Sequence, residues 1–70
     1  METILIADDH DIVRRGIRVI IEGLSQPYNI LEASTCAGVM KLLSSQPVHY
    51  AILDMMLSDG NMFSTTQRIM

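Results

Sequence analysis

Asp8 and Asp9 stand side by side directly after one apolar run, and Asp54 stands directly after another. Carboxylates in that setting have two common uses. A lone aspartate after a strand usually caps a helix, and that is the reading for Asp11 and Asp59. A consecutive pair matched by a third carboxylate at the end of a second buried run is rarer as mere capping. If the two runs are neighbouring strands, the three carboxylates meet. Anions a few ångströms apart repel by about 4 kcal/mol per pair at an intermediate dielectric. A bound divalent cation removes the conflict, and Mg2+ fits best because it uses few carboxylates, keeps waters and recruits phosphate oxygens. An aspartate beside such an ion is a competent nucleophile for forming an aspartyl phosphate.

The elements that must position these residues follow from the pattern of apolar residues. Residues Thr3 to Ala7 form an uninterrupted apolar stretch that suits a strand buried on both faces, as in a parallel sheet. The next stretch changes period. Ile12, Gly16 and Ile20 recur at four-residue spacing, with Val13, Ile17, Ile21 and Leu24 on the same flank and Arg14, Arg15, Arg18 and Glu22 opposite. Asp11 is placed as its N-cap, and Gly23 through Pro27 ends it. A second strand is expected over 28–33, with Ser34 or Thr35 capping a helix from about Cys36 to Ser45 that Gln46-Pro47 breaks. A third strand is expected over 48–53, then a turn at Ser58-Asp59-Gly60-Asn61 and a third helix through Ile69. This alternation means βαβ units, a parallel sheet and helices on both faces. In strand order 2-1-3, Asp8, Asp9 and Asp54 share the crevice beyond the carboxyl ends of two neighbouring strands.

Bulk composition narrows the partners. With a net charge of −3 and a pI near 5.0, the chain lacks the clustered cations that direct binding to nucleic acid or an anionic membrane needs. Its single cysteine, Cys36, cannot form an internal disulfide, which suits a reducing cytosol and a cytoplasmic location. No signal peptide or bilayer-length apolar run is visible. A hydrophobic content of 49% is rich for 70 residues, too few for a large core.

Two segments carry a family resemblance: Ile4-Leu5-Ile6-Ala7-Asp8-Asp9-His10-Asp11-Ile12-Val13-Arg14-Arg15-Gly16-Ile17 and Ala51-Ile52-Leu53-Asp54-Met55-Met56-Leu57-Ser58-Asp59-Gly60. Together they resemble a two-component response regulator receiver domain. The Asp-Asp-His start followed by Val-Arg-Arg-Gly-Ile is most similar to the subgroup with a LuxR-type helix-turn-helix output domain. The resemblance implies a flavodoxin-like doubly wound fold, of which residues 1–70 would be the N-terminal (βα)3 portion, truncated before the fourth strand. It implies that Asp54 is the phosphoacceptor and Asp9 a direct Mg2+ ligand. Asp8 would act mainly through a bound water, and Met56 would ligate the metal through its backbone carbonyl. The donor would be a phosphohistidine on a cognate sensor histidine kinase. The domain would catalyse only its own phosphotransfer and dephosphorylation, and DNA would be reached through an output domain outside these residues.

The sequence departs from the family at Ser58, where proline is common, and at Met62, where glycine is common. The family's hydroxyl residue after a fourth strand and lysine after a fifth would lie beyond Met70. A third strand left at the sheet edge is expected to pair with a second copy, giving a homodimer or intertwined pair. The competing readings are a pseudo-receiver serving as an interaction module and a Mg2+-dependent phosphohydrolase. The hydrolase would want Asp-x-Asp after the first strand, whereas Asp8 and Asp9 are adjacent. His10 is expected to be a solvated loop residue, His49 structural and Cys36 an inert thiol. The arginines are expected to form a solvated face, and Gly16 and Gly38 to mark close helix packing.

Overall fold

A computed structural model of the chain describes residues 1–54 and 56–61. The element order is β1 (Thr3–Ala7), α1 (Asp11–Glu22), β2 (Asn29–Ala33), α2 (Cys36–Ser45), β3 (Tyr50–Leu53), β4 (Met56–Leu57) and β5 (Gly60–Asn61). The helix expected through Ile69 lies outside the described residues. No helix among the described residues is long and apolar enough to cross a membrane.

The first three strands form one parallel sheet, as the alternation of strand and helix requires, and their order is β2-β1-β3. β1 is central and buried along its whole length, which explains its lack of alternation. Successive side chains of a strand point to opposite faces. Ile4 and Ile6 pack with Ile21 of α1, while Leu5 and Ala7 pack with Ala33, Cys36, Val39 and Leu57 on the other face. Leu5, Ile6 and Val39 are fully buried, each contributing about 1.5–3 kcal/mol of transfer free energy.

Local chemistry sets the element ends. Thr35 Oγ1 accepts the Gly38 amide at 3.0 Å, the N-cap expected of α2. His49 is structural as expected, its Nδ1 accepting the Thr3 amide at 2.9 Å beside the start of β3. β4 and β5 pair antiparallel around Ser58-Asp59, and Gly60 takes φ +155°, a region side-chain-bearing residues rarely adopt.

The phase of α1 differs from expectation. Its sheet-facing residues are Arg14, Ile17, Arg18 and Ile21, while Ile12 and Ile20 are 85% and 69% exposed. The cause is Glu32. It pairs with Ile6 in register and so lies on the α1 face of the sheet, where a carboxylate needs cationic partners. Arg14 Nε reaches it at 3.2 Å and Arg18 Nε at 2.9 Å, so these arginines are not a solvated face. Gly16 accordingly meets nothing within 4 Å and marks no close packing, whereas a Cβ at Gly38 would lie 3.2 Å from Thr35 Oγ1. Asp11 also differs. It is the first residue of α1 rather than its cap, and its carboxylate binds Arg14. β3 stands at the edge of the described sheet, with Tyr50 and Ile52 exposed rather than buried on both faces.

Candidate metal centre

Register brings the three carboxylates to one level. Ala7 of β1 is opposite Ala33 on one side and Leu53 on the other, so Asp8 and Asp54 leave the sheet together. One further rung extends the ladder on each side: the Asp8 amide donates to Ala33 O at 3.1 Å, and the Asp54 amide donates to Ala7 O at 2.9 Å. Both residues are thereby held by backbone at the rim of the sheet, and Asp9 follows in the same loop.

One ligand atom from each of Asp8, Asp9, His10 and Asp54 lies within 4.8 Å of all the others. Asp8 is the most enclosed of the first pair, with 13% of its side chain exposed against 31% for Asp9. The Asp8 Oδ1 accepts the His10 amide at 2.8 Å, the main reason its pKa falls below the ordinary carboxylate value. Burial opposes that shift, and the His10 ring and Arg14 reinforce it.

His10 is exposed yet not merely solvated. Its Nδ1 lies 2.9 Å from Asp8 Oδ1 and 2.9 Å from Asp9 Oδ1. The hydrogen bond to Asp8, followed by the charges of Asp9 and Asp8, raises its pKa above the ordinary imidazole value. The shared ring proton partly offsets the carboxylate repulsion. Among the described residues this is the cluster whose donors could hold a metal ion. Three carboxylates offering oxygens at this range fit a small hard cation, while the lone imidazole sits at the exposed rim.

Two supports were not anticipated from the sequence. Arg14 Nη1 donates to the Asp8 carbonyl oxygen at 2.6 Å while its Nε holds Glu32, so α1, β2 and the acidic loop are joined through one side chain. An acid flanked by Leu31 and Ala33 in the second strand was the available signal. On the Asp54 side, the Met56 amide donates to Asp54 Oδ1 at 3.1 Å, which orients the carboxylate and brings the Met56 backbone to the site. Asp59 caps a helix, as its residue type suggested, but the helix is the earlier α2. Cys36 is buried at the start of that helix.

Residues 4–70 match the family described as the response regulator receiver domain. Among solved structures, the chain is similar to the MaeR response regulator bound to beryllium trifluoride. The TM-score is 0.91 and the identity 30%, over 99% of this chain and 57% of that chain. The chain thus spans little more than half the length of that relative. Comparison with curated proteins finds no match.

Proposed function

Because the chain belongs to the response regulator receiver domain family, we propose that it accepts a phosphoryl group on Asp54 from the phosphohistidine of a sensor histidine kinase. The observation that carries this reading is the convergence of Asp8, Asp9 and Asp54 at the carboxyl ends of β1 and β3. Asp9, Asp54 and the Met56 carbonyl would hold Mg2+ directly, with Asp8 acting through water. When bound, the ion neutralises charge that would otherwise repel an incoming phosphoryl group.

The chain's own residues do the rest. Asp54 Oδ1 is engaged by the Met56 amide, so the carboxylate is held in one orientation with its other oxygen for attack. That oxygen forms the bond to phosphorus as the bond from phosphorus to the donor nitrogen breaks. The electron pair leaves with the imidazole, and the product is an acyl phosphate. The beryllium trifluoride bound to the MaeR response regulator supports the reading, since that group has the shape and charge of a phosphoryl group. On this reading the chain is a signalling domain in the cytoplasm that catalyses only its own modification.

Control of a DNA-binding output domain belongs to the same proposal and rests on the resemblance of residues 8–17 to the LuxR-type subgroup. That residues 1–70 stand for the first part of a receiver belongs to the proposal too, and rests on the family resemblance along the whole stretch. Pairing of the isolated 70 residues with a second copy rests on the exposed Tyr50 and Ile52 of β3. A clean monomer in sedimentation would count against that pairing. The phosphoacceptor is tested by incubating the protein with a small phosphodonor and Mg2+. Acid-labile, hydroxylamine-sensitive labelling is expected and should vanish in Asp54→Asn, whereas labelling that persists reassigns the acceptor.

A further inference from the structure

The turn between β4 and β5 is tied to a helix that precedes it in the chain. Asp59 Oδ1 accepts the Cys36 amide at 2.6 Å, and Oδ2 accepts the Ala37 amide at 3.1 Å. Both carboxylate oxygens are spent on amides that α2 leaves without intrahelical partners, where the helix dipole also favours an anion. Leu57 packs into the core cluster that contains Cys36 and Val39, so the ribbon is seated by an apolar contact beside the polar one. Gly60 turns the chain back at φ +155°, and a Cβ there would lie 3.6 Å from Cys36 Sγ. The near end of the same segment is fixed to the sheet by the Asp54 amide on Ala7 O, with the Met56 amide on Asp54 Oδ1. Asp54 is therefore anchored at the acidic cluster and the β4–β5 ribbon at α2.

We propose that Asp59 is a positioning residue for the metal centre: by gripping the first amides of α2 it holds the β4–β5 ribbon so that the Met56 peptide and the Asp54 carboxylate keep the geometry that receives the cation. The proposal rests on the reading of Asp8, Asp9, Asp54 and Met56 as the Mg2+ site. A ribbon of two-residue strands has little pairing of its own to resist displacement. Release of the turn would loosen one end of the ribbon that carries the Met56 peptide, leaving Leu57 to seat it alone on the α2 face, while β1 and its Asp8-Asp9 loop stay in place. Asp59 also differs from an ordinary cap, because the loop and helix it joins are separated by a whole strand.

The test is the Mg2+ dissociation constant of the full chain by titration calorimetry, with thermal melting measured alongside. Asp59→Ala should bind Mg2+ about tenfold more weakly, the scale on which supporting groups around a metal act. Asp59→Asn keeps one acceptor and should fall between Asp59→Ala and wild type; it carries the test if Asp59→Ala does not fold. Thr35→Ala removes the other cap of α2 without touching the ribbon, and should melt lower with unchanged Mg2+ binding. Unchanged binding in the Asp59 variants, or an equal loss in Thr35→Ala, would overturn the tether. A wild-type chain that takes up no Mg2+ would remove the cation reading and the tether together, whereas normal wild-type binding with unchanged variants overturns the tether alone.

Discussion

Truncating Leu57 to alanine asks whether β4 is seated on the α2 face of the sheet. Leu57 is 6% exposed and packs in the cluster with Leu5, Ala7, Ala33, Cys36 and Val39. The change removes three carbons, each worth about 0.8 kcal/mol when buried. A residual cavity adds to that, so the expected loss is about 3 kcal/mol, within the usual span for leucine to alanine in a core. A chain of this length holds about 4–10 kcal/mol in total. The loss is thus a large share of its stability, and the melting temperature should fall by about 12–24 °C. The neighbouring Met56 is 62% exposed, so Met56→Ala should change stability by no more than about 0.5 kcal/mol. Urea unfolding followed by circular dichroism measures both, with similar slopes expected. Equal, small effects at the two positions would refute the seating of β4 and, with it, the positions of Asp54 and Met56 relative to α2.

Gly16→Ala should stabilise the chain by about 0.5–1 kcal/mol, because the glycine lies inside α1 with nothing within 4 Å of an added methyl. A lowered melting temperature would mean that the position is packed. Stability should also fall in acid. Asp8, Glu32 and Asp59 all have lowered pKa values in the folded state, so their contributions are present above the unfolded values of 3.8 and 4.5 and are lost as pH drops through the lowered ones. His10 works in the opposite sense: its contribution is full below 6.5 and is lost as pH rises through its raised value. Urea midpoints should therefore peak between those limits, and a midpoint still rising well above the His10 range would contradict the assignment.

The fold was legible where one pattern had one physical meaning. The unbroken apolar run of β1 meant a strand buried on both faces, and its helix-separated successors meant a parallel sheet. The order 2-1-3 then brought Asp8, Asp9 and Asp54 to one edge. The phase of α1 was not legible from α1 alone. Its apolar positions allowed a face through Ile12 and Ile20, but the partner that decided the matter, Glu32, is on another element. An acid alternating with Ile30 in a strand is the clue that the facing helix must supply cations. The tertiary role of Asp59 was hidden for the same reason. A helix cap is a local inference, and here the capped amides come from residues far earlier in the chain.

The proposed function needs Asp8, Asp9 and Asp54 to act as one cation site, and the most direct measurement is Mg2+ binding by calorimetry across their single asparagine variants and the Asp9/Asp54 double variant. Asp9→Asn and Asp54→Asn should each weaken binding about tenfold or more, Asp8→Asn by less, and the double variant by less than the product of the two singles, because both residues serve the same ion. Wild-type affinity in either Asp9→Asn or Asp54→Asn, or independent losses that multiply in the double variant, would contradict it.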